Sequence, residues 1–166
     1  MTQTVDPGMF RQVMGQFATG VTVVTYPSDP PHGMTVNAFS SVSLDPPLIL
    51  ICVDHDTKSY EMLSEGEVDG YCVNILTRDQ QHLGEYFANM TELEESPFES
   101  EATRTEVTGS PIFEEALAYI DCTLHSDLKA GDHTIYVGKV ESAETLKPGA
   151  SPLTFYEGGW GTIQPD

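Results

Sequence analysis

The sequence predicts a mainly β chain with short helices (α+β), folded as an antiparallel barrel or sandwich. Three observations carry that expectation. About seven stretches rich in β-branched and aromatic residues are set apart by Gly, Pro, Asn and Asp turn signals. The helical patterns between them are short. No repeat, linker or low-complexity stretch interrupts the 166 residues, so 1–166 reads as one domain.

Pro7 to Phe17 has apolar Met9, Phe10, Val13, Met14 and Phe17 at i, i+3, i+4, i+7 spacing, which predicts a first helix closed by Gly20. Val21 to Tyr26 is a β-branched and aromatic strand. The Pro27–Pro31 cluster turns the chain, and His32 to Phe39 returns as the second arm of a hairpin. Pro46-Pro47 forces an extended corner before Leu48–Val53, an apolar run suited to a buried strand. A short helix to about Leu63 follows, with Asp or Thr as its cap. Gly70 to Leu76 alternates as a strand, and Thr77-Arg-Asp-Gln80 has the capping-box pattern of a helix running to about Asn89. The glutamate-rich Thr91–Glu106 reads as a solvated loop or lid. Ala116–Leu124 and His133–Ser142 are strands around a Lys129–Asp132 turn. Leu153–Tyr156 is a last strand before a Gly158–Gly161 tail.

Charge removes whole classes of function. Seven Lys and Arg face 26 Asp and Glu, a formal net charge of -19. A nucleic-acid binder needs a basic stripe to neutralise phosphates, and this chain has none. With 39% hydrophobic residues the chain is expected to fold rather than stay disordered. An acidic excess of this size reads either as a solvated surface that promotes solubility or, more sharply, as a fit to a salt-rich cytoplasm, where concentrated cations screen self-repulsion. No apolar run is long enough to cross a bilayer, and Met1–Pro7 lacks the layout of an export signal, so a cytoplasmic protein without membrane contact is expected. Cys52, Cys72 and Cys122 each sit in an apolar run with no C-x-x-C pair, which predicts reduced, core-like thiols.

Searches for catalytic motifs find no G-x-G-x-x-G, no P-loop and no G-x-S-x-G. The histidines lack metal-ligand spacing, and no metal site is expected. A binding constellation remains. Thr35, Asn37, Ser40, Ser41 and Ser43 offer hydrogen-bond donors, and Lys58, between Thr57 and Ser59, offers a scarce cation beside a helix start. Such a set suits an anionic ligand with a flat ring, and it equally suits an ordinary turn between two strands. His133 follows Gly131-Asp132 at the head of a strand, where an imidazole can face a cleft or serve as a simple turn residue.

Three segments, in matching order and spacing, resemble the flavin reductase family, the NAD(P)H-dependent partners of two-component flavin monooxygenases. They are Gly33–Pro47 (GMTVNAFSSVSLDPP), Gly131–Val140 (GDHTIYVGKV) and Pro152–Tyr156 with its Gly-rich follow-up. The resemblance spans nearly the whole chain. It implies a Greek-key split β-barrel of the FMN-binding type, a homodimer with flavin at its interface, and hydride transfer from NADH or NADPH to FMN or FAD. Reduced flavin would then serve a monooxygenase. By the same resemblance Thr35, Val36 and Asn37 run beside the flavin ring, and Ser40, Ser41, Val42, Ser43, Thr57, Lys58 and Ser59 hold its ribityl and phosphate. Cys52 and Val53 would line the pocket, and His133, as the catalytic positioning group, would sit by the nicotinamide with Tyr156 close by. Two alternatives stay open: a flavoprotein that keeps its flavin and passes electrons to a protein, and a flavin-binding protein without turnover. Val36 stands where many relatives have Ala, and the acidic loop is this chain's own departure.

Overall fold

Stiff, β-branched side chains suit a pleated surface, and strands account for most of the regular structure. The computed structural model describes residues 4–166. Part of the expected signal-free start, Met1–Gln3, lies outside them. The strands are β1 Thr19–Gly20, β2 Thr22–Tyr26, β3 His32–Val36, β4 Phe39–Leu44, β5 Pro47–Asp54, β6 Gly70–Ile75, β7 Thr103–Arg104, β8 Ile112–Phe113, β9 Ala118–Ala130, β10 His133–Thr145, β11 Leu153–Tyr156 and β12 Gly159–Thr162. The helices are α1 Pro7–Met14, α2 Lys58–Ser64, α3 Gln81–Phe87 and α4 Pro97–Ser100, with a 3-10 turn at Arg78–Gln80.

Seven strands form one antiparallel sheet in the order β3-β2-β6-β9-β10-β5-β4. Its two outer strands, β3 and β4, are joined only by Asn37 and Ala38. Laid flat, seven strands ~4.8 Å apart would put those edges roughly 29 Å from each other. The connection spans at most about 11 Å. The sheet therefore curls until its edges approach, giving a barrel split at residues 37–38. Inside it sit Val24, Tyr26, Val36, Ile49, Ile51, Val53, Tyr71, Val73 and Tyr136, joined by Met62 and Leu63 of α2. A second core, with Val21, Val23, Leu76, Leu83, Phe87, Phe113 and Leu153, packs α3 against the other face of β2. Strand β2 is thus buried on both faces.

Several elements differ from expectation, each for a physical reason. Helix α1 ends at Met14, capped by Gly15, and Gly20 belongs to β1, opposite Thr154. Residues 39–44 form an edge strand rather than a turn; their hydroxyls and the bulge between Ser41 and Ser43 hide the two-residue alternation. Strand β9 runs on to Ala130, so the turn is only Gly131-Asp132, with Gly131 at φ 62°. Its polar far end is recognisable only through its ladder with β10. The Gly158–Gly161 tail is β12, and Trp160 packs against Phe155 at 5.0 Å. The acidic segment is not simply a loop. It carries α4 and β7, anchored where Phe98 packs on Phe87 and Phe113.

Gly33 shows how tightly that anchor meets the barrel. A Cβ there would lie 2.8 Å from Phe87 Cε1 and 3.3 Å from Phe98 Cζ. Phe87 is itself packed against Phe98 and Phe113, so it can give way only by breaking those contacts. Gly33→Ala is expected to cost about 1–3 kcal/mol through overpacking. A thermal melt measures it; an unchanged Tm would show that the ring yields freely.

Candidate functional site

Four elements enclose a cleft of about 680 Å³: the head of β3, the first turn of α2, the end of α3 and the segment from Thr91 to Phe98. Tyr86, Phe87, Phe98 and Met34 give it flat apolar walls, while Thr57, Asn89 and Ser96 bring polar groups. Thr57 caps α2: its hydroxyl accepts from Tyr60 N at 3.2 Å and donates to Asp54 O at 2.7 Å. Lys58 follows, about half-exposed, with Nζ 3.8 Å from Glu61 Oε1. It is the one Lys or Arg among the described lining residues, set beside Asp56 and Glu92. A surface pair at that distance binds weakly, so the ammonium is available to a ligand anion. His32, also in the wall, stacks on Tyr26 and places Nε2 3.1 Å from Ser59 Oγ.

The other sequence-derived residues fall in different places. Thr35 donates its hydroxyl to Gly84 O at 2.7 Å, which ties β3 to α3. Val36, Val53 and Ser59 turn their side chains into the protein, at 5%, 0% and 0% exposure, so none of the three side chains is open to a ligand from within this chain's surface. The cause for Val36 and Val53 is strand alternation, which sends them into the barrel; Ser59 is held inward by His32. Asn37 is exposed at the split, where Phe17, Gly20, Thr22, Phe39 and Ile75 line a smaller groove of about 340 Å³. Ser40, Ser41 and Val42 are exposed on edge strand β4, and Ser43 is partly covered. Cys52 is half-buried on the outer face of β5, and burial raises its thiol pKa. Cys72 and Cys122 are wholly buried, the latter pushed up to about 12 by desolvation and by Asp121. Tyr156 is exposed on β11 and is not among the cleft's lining residues.

His133 opens β10 immediately after the two-residue turn and sits opposite Asp54 of β5. Its Nδ1 lies 2.7 Å from Asp132 Oδ1, and this contact holds the Asp132 carboxyl below the usual carboxylate range. His55, which sequence reasoning did not select as a site residue, completes this corner. Its backbone N donates to Asp132 O at 3.0 Å, its Nε2 lies 2.9 Å from Thr134 Oγ1, and its ring packs on Tyr60 at 4.3 Å. The β9–β10 turn is thereby stitched to the segment that carries Thr57 and Lys58. A shallow groove lined by His55, Thr57, Lys58 and Tyr60 runs along that segment, so Lys58 borders both it and the main cleft. The signal for His55 was the Asp-His-Asp run between a strand and a helix cap. His32 had no such signal, since its partner Ser59 is 27 positions away.

Among the described residues, the one group of three ligand-type side chains close enough for a metal is Glu61, Glu65 and Glu67, all exposed. No helix there is long and apolar enough to cross a membrane.

Comparison with known proteins agrees with this architecture. The family model for the flavin reductase like domain matches residues 14–164. The reductase subunit HsaB of a flavin-dependent monooxygenase from Mycobacterium tuberculosis is 39% identical over 171 residues, covering 100% of this chain and 87% of that one. The structure of flavin reductase PheA2 in its native state superposes with a TM-score of 0.87 at 36% identity, over 97% of this chain and 100% of that one. The NADH:FAD oxidoreductase SgcE6 of Streptomyces globisporus, solved with NAD and FAD fragments, gives 0.86 at 35% identity over 99% of each chain. The curled antiparallel sheet is the split barrel of these neighbours, and the chain belongs to the flavin reductase family.

Proposed function

We propose that this chain transfers a hydride from a reduced nicotinamide to FMN or FAD, with the flavin phosphate held at Lys58, and releases reduced flavin to a monooxygenase. The observation that carries the placement is Lys58 itself, one of seven cations in a chain of net charge -19, standing in the wall of an aromatic cleft. The cleft fits such a ligand. Its volume is within the roughly 300–1,000 Å³ of small-molecule sites, and its walls combine flat apolar rings with a few polar groups. Oxidised flavin supplies the hydride acceptor. The chain supplies alignment of two rings and exclusion of water.

Thr57 and Lys58 face the phosphate, and Ser40, Ser41, Val42 and Ser43 follow the ribityl chain along β4. Backbone groups of Thr35, Val36 and Asn37 border the ring at the split, with Cys52 and the backbone of Val53 near it. His133, with Asp132 and His55 fixing its position, aligns the nicotinamide, and Tyr156 borders the same region. This arrangement spreads over more surface than one cleft, and a second copy of the chain completes it. None of α1 is buried: Met9, Phe10, Val13, Met14 and the following Phe17 are 51–72% exposed. Leu44 and Val42 on edge strand β4 are also bare, at 96% and 48%. An apolar helix face of this kind needs a partner, and a homodimer provides one. Three free thiols fit the reducing cytoplasm.

The test is nicotinamide oxidation with NADH or NADPH and added FMN or FAD, across a KCl series. Turnover with free flavin is expected. Because both substrates are anions approaching a strongly acidic protein, kcat/KM is expected to rise about tenfold or more from dilute buffer to ~1 M salt, where the screening length falls to ~3 Å. That rise is what a halophilic enzyme shows. Equal turnover in dilute buffer would remove the halophilic reading, and no turnover with any flavin would remove the reductase.

A further inference from the structure

Among the polar residues of the cleft wall, His32 has contacts that make it more than lining. His32 begins β3 in register with Tyr26 of β2, and its ring stacks on that wholly buried tyrosine, centroids 5.7 Å apart at 23°. This fixes the plane of the imidazole. Its Nε2 then meets Ser59 Oγ at 3.1 Å, a hydroxyl with no exposure to solvent, one residue after Lys58. Besides the core packing of Met62 and Leu63 with Val36, this contact joins the two walls of the cleft across 27 residues of sequence.

We propose that His32 is a positioning residue for flavin binding: through Ser59 it holds the first turn of α2, and so the Lys58 ammonium, at the cleft. The inference rests on the placement of the flavin phosphate at Lys58. Geometry supports it in two ways. The Ser59 hydroxyl is buried, so losing His32 costs it its hydrogen bond and leaves the buried, unpaired Tyr26 hydroxyl as its alternative, a pairing that draws the turn off its position. Among the described residues the Lys58 ammonium itself pairs only with exposed Glu61, at 3.8 Å, a contact too weak to fix where it points. Burial and the Lys58 charge both lower the imidazole pKa, which keeps the ring neutral and free to share a hydrogen bond with Ser59.

Full-length variants separate the possibilities, read by flavin Kd, by kcat and KM, and by Tm. His32→Leu is expected to raise the Kd and KM for FMN about tenfold, with kcat within about twofold and the KM for NADH unchanged. His32→Gln, whose amide reaches Ser59, is expected to restore affinity to within about threefold of the original. In a Lys58→Ala background the His32→Leu effect should shrink below about twofold, because the two act in series. Ser59→Ala reads the same contact from the other side should His32→Leu not fold. Weakened binding in Lys58→Ala with none in His32→Leu or Ser59→Ala would overturn the inference and leave the phosphate placement standing. Equal losses from His32→Leu on both backgrounds would also overturn it. Unchanged affinity in Lys58→Ala would overturn the placement and the inference together.

Discussion

His133→Ala is expected to lower kcat/KM for NADH roughly 30- to 100-fold while the flavin Kd stays within about twofold. Hydride transfer needs two rings at near-contact distance, and a misplacement of about 1 Å in such a reaction costs on the order of 100-fold. His133 is fixed for this task from two sides. Asp132 Oδ1 sits 2.7 Å from its Nδ1, and the turn that presents it is bonded to His55 at 3.0 Å. It is not among the residues lining the main cleft. The loss should therefore appear in the nicotinamide half of the reaction, in kcat and the KM for NADH together. Loss of flavin binding instead would contradict the assignment. His55→Ala is expected to move the same parameters less, because it removes the support and leaves the imidazole.

Phe10→Asp with Val13→Asp is expected to convert a dimer into monomers while keeping the fold. Both side chains are 57% exposed within one chain, so neither supports an intrachain core. Placed in an apolar interface between two copies, the paired carboxylates would have to be desolvated without partners, which raises the dimer dissociation constant by several orders of magnitude. Light scattering measures the mass against twice the 18.2 kDa chain. If the proposed dimer covers the groove beside Phe17 and Asn37, the flavin KM should rise in parallel. A parent protein already monomeric at micromolar concentration would end this reading.

Local signals were legible where local physics is strong. The strands Thr22–Tyr26, Pro47–Asp54 and Gly70–Ile75 were visible from their β-branched runs, and the capping box Thr77/Gln80 forms as expected, with Thr77 N donating to Gln80 Oε1 at 3.1 Å. Edge strand β4 and hairpin strand β12 were hidden, because a strand with hydroxyls or glycines at alternate positions has no hydrophobic period to read. Segment 91–106 was misleading for a related reason. Glu92, Glu94, Glu95, Glu99 and Glu106 are exposed as expected, yet Phe98 packs on the second core, Pro97 is buried and Glu101 meets His82 at 2.7 Å.

By itself the sequence determined the antiparallel β class, the acidic field that any anionic substrate must cross, and a scarce cation, Lys58, between Thr57 and Ser59. These depend on composition and on neighbours a few residues apart. Only the tertiary structure decided which hydroxyls are free. It turned Ser59 inward against His32, engaged Thr35 with Gly84, left Ser40 and Ser41 on an open edge, and brought His55 beside the Gly131-Asp132-His133 turn. The reason is that each of these contacts is set by strand register and barrel closure, and neither can be read from residues adjacent in sequence.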